Sequence, residues 1–507
     1  MKKLLIVLLA GLAVACSDFL EPKSQTEYIP REASSLNEML LGDAYILIGN
    51  GNEVMNLLLM FDDDIMCTDS TGELKASAMR TAEDIVGLEK AYAWQPDIFV
   101  EPCITSGSAY KNFYTYILGA NAALDYIDGV SGTEDEKNIV KAQALALRGF
   151  YYFQLVNMWG APYNYDKTAL GVPLKLTSAL EVLELPRNTV EEVYEQVLKD
   201  LNEAESLYEK LPVEQQYKKD YRTSLPMVQL LKSRVYLYME DWKNAAIYAK
   251  KVINDWNFTL TDLNSLPTPT YAAPYYNFIS QECSETIWVF GSLQLFLNLV
   301  NIDMADPKDR GSQLNFFNAS SDLLGKYKEE DLRKDNYIVR RYYEDTERHL
   351  LGYAPYGKFA VDYRITPSNS ENFAHAFRLA EAYLNLAEAV DVSQAEAAAL
   401  DDDEETAVEA LETLLKNRFV TGTEIEITER GDALVERIRL ERRLELCFEG
   451  HRWFDLRRYG MPSITRVWKN GDYVKSYTLK EKDPFYTPSV LEENRQLVQN
   501  PLPEVRN

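Results

Sequence analysis

Apolar residues along much of this chain recur every three to four positions, the period of a helix with one buried face. Residues 134–158, EDEKNIVKAQALALRGFYYFQLVNM, place Ile139, Ala142, Leu145, Ala146, Gly149, Tyr152, Phe153 and Val156 on such a face, and Gly160 with Pro162 marks the stop. A further helix is expected over 109–127, and another from 189 to 208, where Thr189 followed by Glu192 forms a capping box. The stretch LPMVQLLKSRVYLYMEDWKNAAIYAKKVINDW (225–256) reads as two helices joined by a turn at Glu240 and Asp241. Ser233, Tyr236 and Ala245 fall where the tetratricopeptide (TPR) pattern wants small, aromatic and small side chains, so that antiparallel helices approach closely. Residues 375–390 and 406–419 predict another pair, linked by an acidic run. Within that run, Asp401 to Glu405 lacks the alternating oxygen ligands and turn glycine of a calcium loop, and reads as a solvated connection. The pattern from Leu434 to Glu449 predicts one helix stopped at Gly450.

Between about 257 and 370 the periodicity fades into segments rich in proline, asparagine, glycine and aromatics, such as NFTLTDLNSLPTPTYAAPYYNF, SETIWVFG and GSQLNFFNAS. These read as loops with short strands. The expected fold is mainly α: TPR-like helix pairs form a superhelical scaffold over 36–256 and 371–460. An irregular, loop-rich, short-strand ligand-binding portion at 257–370 packs on it, and a C-terminal tail occupies 461–507.

The first 15 residues alter the picture of where this body resides. Lys2 and Lys3 precede an apolar run too short to span a bilayer, and small residues lead into Cys16. This resembles a bacterial lipoprotein signal, with 1–15 removed, Cys16 lipidated, and residues 16–35 forming a polar, acidic tether between lipid and body. Net charge of -26 leaves no basic surplus for a phosphate backbone and argues against nucleic acid. Cys67, Cys103, Cys283 and Cys447 are scattered without metal-site spacing, and read as buried free thiols. No GxSxG, phosphate loop, dinucleotide loop or HExxH occurs, and no metal or cofactor is expected.

The run ERRLELCFEGHRWFDLRRYG (441–460) gathers acids, arginines and a histidine in the manner of an active site. Arg442 with Glu445, Arg452 with Asp455, and Asp455 with Arg458 lie three apart, at ion-pair spacing. Arginine neighbours hold a carboxylate ionised, which favours architecture over proton transfer. His451 has no partner at ligand spacing and reads as structural.

This run is similar to the C-terminal signature of SusD/RagB-type lipoproteins. CSDFLEPKSQTE after the signal, DDDIMCTDS at 62–70, KAQALALRGFYYFQLVNMWGAPY at 141–163 and the QNP-containing tail FYTPSVLEENRQLVQNP at 485–501 extend the resemblance over nearly the whole mature chain. What it implies is a non-enzymatic protein lipid-anchored on the outer face of the outer membrane. Such a protein binds oligosaccharide and acts as a lid that delivers it to a SusC-like TonB-dependent transporter barrel. A TPR scaffold that binds another protein's peptide is the alternative, and an unrecognised hydrolase a third reading. A sugar offers an apolar C–H face and a rim of hydroxyls, so aromatics beside amides or carboxylates recognise it. Aromatics outside the periodic helices supply the candidates: Tyr92 and Trp94 in AYAWQPD, Tyr275 and Tyr276 with Asn277 in PYYNF, and Phe316 and Phe317 in NFFN between Asn315 and Asn318. Trp288 and Trp159 read as core and as part of the family's WG turn.

Overall fold

The computed structural model describes residues 30–46, 55, 57–68, 82–96, 98, 109–179, 185–268, 275–293, 303–304, 314–342, 350–359, 373–393 and 403–488. The signal segment 1–15, Cys16, residues 17–29 of the tether, Cys103, Asp401 and the closing residues from 489 onward lie outside them.

Helices α1 (Ala33–Asp43), α2 (Ala82–Tyr92), α3 (Ala109–Tyr126), α4 (Glu134–Trp159), α5 (Val190–Glu209), α6 (Leu225–Tyr238) and α7 (Trp242–Asn254) precede the irregular portion. After it come α8 (Leu379–Ser393), α9 (Asp403–Lys416), α10 (Asp432–Leu446) and α11 (Arg452–Arg458). From α3 to α9 each helix packs on the one before it in an unbroken array, and α8 docks directly on α7 although more than a hundred residues separate them. The capping box predicted at Thr189 forms and Thr133 makes a second: each threonine accepts from the backbone N–H three residues on, and Glu192 and Glu136 reach back. At the α6–α7 seam Ser233 Oγ donates to the Ala245 carbonyl at 2.9 Å, an approach that small side chains allow. Asn385 of α8 donates to the same hydroxyl, and Arg234 of α6 forks onto Glu381 of α8 at 2.6 Å, so α8 is keyed to the array. Gly119 lets α3 meet α1, since a Cβ there would fall 2.5 Å from the Asp43 carbonyl oxygen.

Two helix expectations are corrected. Residues 375–378 do not begin a helix: His375–Arg378 is strand β8, antiparallel to β2 (Thr286–Phe290), and α8 starts at Leu379. Helical period and a strand buried on both faces cannot be told apart over four residues, and all four of these are buried. Helix α10 stops at Leu446 rather than at Gly450, because Cys447 leaves the helix with a ψ of 139° and Phe448 follows at a left-handed φ of 65°. The chain then turns into α11, which buries Trp453, Phe454 and Asp455.

Strands of the irregular portion form short antiparallel pairs: β5 (Phe317–Ala319) with β1 (Ile65–Cys67) from the front of the chain, β3 (Asp303–Met304) with β4 (Leu314–Asn315), and β6 (Val339–Tyr342) with β7 (Leu350–Ala354). Past α11, where the sequence suggested only a tail, β9 (Ile464–Asn470) and β10 (Tyr473–Leu479) form a hairpin. No described helix is long and apolar enough to cross a membrane.

Candidate functional site

The signature block is interior. Glu445 is fully buried and accepts from Arg418 Nε at 2.9 Å, from Arg378 Nη1 at 3.3 Å and from the Tyr337 hydroxyl at 3.0 Å. Glu285 accepts from the same two guanidinium groups at 2.9 and 2.8 Å, while Lys358 and Arg378 share Glu449. Burial alone would raise the Glu445 carboxyl, but Arg418 and Arg378 outweigh it and hold the group far below the usual carboxylate range. Glu449 is lowered in the same way, its burial outweighed by Arg378 and Lys358.

One of the three pairings by spacing forms. Asp455–Arg458 forms at 2.9 Å, but Arg442 pairs with Asp455 rather than Glu445, and Arg452 forks onto Asp63 at 2.7 and 2.8 Å rather than onto Asp455. Each of these two arginines finds its acid beyond its own helix. The acids at 62–64 thereby become the front anchor of the block: Arg443 donates to Asp64 at 2.7 Å and to Asp322 at 2.7 Å. Asp455, Glu445 and Glu449 are clamped by cations and closed to solvent, an arrangement that holds a fold together and keeps these acids ionised.

His375 and His451 line a small internal cavity behind this network, with Gln154, Tyr238 and Glu449. Burial lowers His375 to about 4, and burial followed by Arg234 and Arg442 lowers His451 well below the ordinary value. Both histidines are neutral in the native state, so below pH 6.5 the unfolded chain takes up protons that the native one refuses. Stability therefore falls as pH drops from about 6.5 toward 4, by about 1.4 kcal/mol per pH unit for each histidine. Asp62, raised by burial and by Asp64, and Asp64, raised by burial, act in the opposite direction. The diagnostic is consequently a difference: urea titrations between pH 7 and 5 should give a shallower loss for His375→Gln than for the natural chain, and equal slopes would refute the assignment.

Of the aromatic candidates, the structure brings Tyr92, Phe316 and Phe317 together, but inside. Tyr92 is not in a loop; it ends α2, fully buried, with its ring 5.8 Å from Phe317 and 5.6 Å from Trp468 of β9. Phe316 lies 4.8 Å from Phe317 and 4.9 Å from Trp468. Trp94 is fully buried at a φ of 53°, donates from Nε1 to the Phe61 carbonyl at 2.8 Å, and carries the Arg466 guanidinium 3.9 Å from its ring. None of these four rings offers a face to a sugar, since the hairpin β9–β10 covers them. Trp288 is core, as expected. Asn318 is engaged internally, donating to Thr68 Oγ1 and accepting from the Tyr353 backbone N–H. Cys67, Cys283 and Cys447 are free and buried.

Tyr275, Tyr276 and Asn277 are the candidates that reach the surface, each half-buried. The Tyr275 hydroxyl accepts from the Arg340 backbone N–H at 3.3 Å, and Arg340 pairs with Asp335 on the exposed side. Tyr353 of β7 stands opposite Arg340 in the ladder and is itself half-buried. Asn277 Oδ1 accepts from Ile279 N–H at 3.1 Å, which fixes the side chain and leaves its Nδ2 group to donate. Behind the patch, Tyr276 meets Phe278 edge-on at 4.8 Å, Phe278 meets Tyr337 at 5.1 Å, and Tyr337 ends on Glu445. The signature block thus buttresses a surface of phenols, an amide and an ion pair. Sequence reasoning missed Arg340, Asp335 and Tyr353, because their convergence depends on a strand pairing that the weak alternation of 339–342 does not announce.

Two family models match this chain: a SusD-like model described as starch-binding associating with outer membrane, over residues 18–237, and the SusD family model, over residues 306–504. Two SusD-like proteins of Formosa agariphila are 27% and 24% identical to it, over 69% and 76% of this chain and 71% and 77% of theirs. Among solved structures, a SusD-like carbohydrate binding protein from Bacteroides vulgatus has a TM-score of 0.65 at 20% identity, covering 92% of this chain and 97% of that one. A SusD superfamily protein from Bacteroides thetaiotaomicron has a TM-score of 0.66 at 21% identity, covering 90% and 96%. With models of one family matching both ends, and with the helical array shared across the structures, the chain belongs to the SusD family.

Proposed function

We propose that this protein binds oligosaccharide or polysaccharide at the cell surface, lipid-anchored through Cys16 to the outer membrane, and passes it without cleavage to a TonB-dependent transporter barrel. The observation that carries the binding reading is the half-buried patch of Tyr275, Tyr276 and Asn277 beside Arg340 and Asp335. Its phenol faces suit sugar C–H groups, and its amide and ion pair suit hydroxyls. Family membership supports the same reading, as do solved relatives that are themselves a carbohydrate binding protein and a surface glycan-binding protein. The clamped acids of the signature block support a reading without catalysis, and membrane association agrees with the wording of the first family model. Tyr92, Trp94, Phe316 and Phe317 serve as the support under this portion rather than as contacts.

Calorimetry and affinity electrophoresis against a polysaccharide panel test the reading. The expected result is binding by the intact mature protein with no release of reducing ends, and about tenfold weaker binding in Tyr275→Ala, the order expected for one lost ring contact plus its hydrogen bond. Liberated reducing ends would refute it, as would failure to bind any polymer. Co-purification with a barrel protein after mild detergent extraction tests the delivery step.

A further inference from the structure

A second arrangement of phenols sits on the hairpin, away from the buried rings it covers. Tyr473, Lys475 and Tyr477 occupy alternate positions of β10, opposite Asn470, Trp468 and Arg466 of β9, and so share one face. On β9 that face is core, with Trp468 fully buried; on β10 it runs out past the body, where Tyr473 is 50% exposed and Tyr477 half-buried. The two hydroxyls donate to the same atom, Glu89 Oε1 of α2, at 3.0 and 2.6 Å. Four residues of strand separate their Cα atoms by about 13 Å, so the rings lean toward each other along β10 with the carboxylate between their tips. Lys475 lies between them, its Nζ 4.9 Å from the centre of the Tyr477 ring.

An exposed tyrosine gains little from burial, yet these two are pinned at both ends, by the hairpin register and by a charged acceptor. Pinning removes the rotamer freedom that a ligand would otherwise have to take away, which is what preorganised aromatic contacts do. The polar chemistry is specific as well. Each phenol has given its only proton to Glu89 and keeps its lone pairs, Glu89 Oε2 has no partner in the described structure, and Lys475 adds a donor beside the ring. The strip therefore presents ring faces, acceptors and one donor in a line longer than a single sugar ring. Lys475 does not offset Glu89, Asp472 and the net charge of -26, so an anionic polymer is opposed.

We infer that Tyr473, Tyr477, Lys475 and Glu89 form a second carbohydrate subsite that takes an extended, neutral polysaccharide along β10, with Glu89 positioning the two rings. This rests on the glycan-binding reading given above, and the test separates the two. Mature protein is run in native gels containing soluble starch, arabinoxylan or galactomannan as neutral probes, and polygalacturonate or chondroitin sulfate as anionic ones, with affinities then taken by calorimetry. For a neutral polymer that retards the natural chain, Tyr473→Ala and Tyr477→Ala should each weaken binding about five- to tenfold. Glu89→Ala should do the same by freeing the rings, and Glu89→Gln, whose amide oxygen still accepts, should recover most of that loss. Natural affinity in both tyrosine variants, with loss in Tyr275→Ala, overturns the strip and leaves the function standing. Preference for the anionic polymers overturns the ligand class, and binding to none of the probes overturns both readings.

Discussion

Glu445→Ala should lower the unfolding free energy by about 3–5 kcal/mol, the larger part of the stability of many domains. Four groups converge on this one carboxylate: Arg418 and Arg378 through hydrogen bonds of 2.9 and 3.3 Å, Arg333 at 3.8 Å, and the Tyr337 hydroxyl. All of them are closed to solvent. Removing the acid leaves guanidinium groups that water cannot reach: Arg418 keeps Glu285 alone, and Arg378 keeps Glu285 and a Glu449 that Lys358 also claims. Burial of an uncompensated charge is what makes the loss large; the pair itself, against an apolar replacement, would be close to neutral. Glu445→Gln should also destabilise, because its amide hydrogens face cationic donors. Urea unfolding followed by tyrosine and tryptophan fluorescence measures both. A Glu445→Ala protein with natural stability that no longer bound glycan would instead make this block the site. Sugar binding should fall only in step with folding, because the link from Glu445 to the surface runs through Tyr337, Phe278 and Tyr276.

The scaffold was legible because helices that stack on their chain neighbours carry their whole packing instruction locally. Thr189 with Glu192 announces the start of α5, and Ser233 with Ala245 announces the close approach of α6 and α7. Composition and charge identified the signature block as neutralised, but spacing gave the wrong partners for Arg442 and Arg452, since both cross to residues beyond their own helix. Strand β8 was hidden for a related reason: its partner lies some ninety positions earlier, and a four-residue strand buried on both faces has no alternation to read. The surface was least legible. Abundant tyrosine does not say which rings are covered, and the cover here is a hairpin drawn from a segment that reads as a tail. The alternation of Tyr473, Lys475 and Tyr477 was the available signal for it.

Trp94→Ala should cost about 3–5 kcal/mol and should not act on glycan affinity in the protein that remains folded. The indole is fully buried, its N–H answers the Phe61 carbonyl, and Arg466 lies flat against it at 3.9 Å while also sitting 4.0 Å from Tyr92. Among the described residues Arg466 forms no ion pair: its hydrogen bonds go to the backbone carbonyls of Tyr92, Asp62 and Met60, and burial lowers its pKa. The two ring faces are therefore what this cation has in place of a counter-ion. Truncating Trp94 removes one face, opens a cavity of indole size, and takes away the indole N–H that the Phe61 carbonyl accepts from. The outcome to expect is a lowered melting temperature together with loosening of the β9–β10 hairpin, seen as faster amide exchange over 464–479 than over α6 and α7. That pairing of effects separates a supporting role from a binding one. A Trp94 that stacked on sugar would, when cut to alanine, leave the melting curve in place and weaken binding; a Trp94 that holds Arg466 moves the melting curve and, in folded molecules, leaves the contacts at Tyr275 intact.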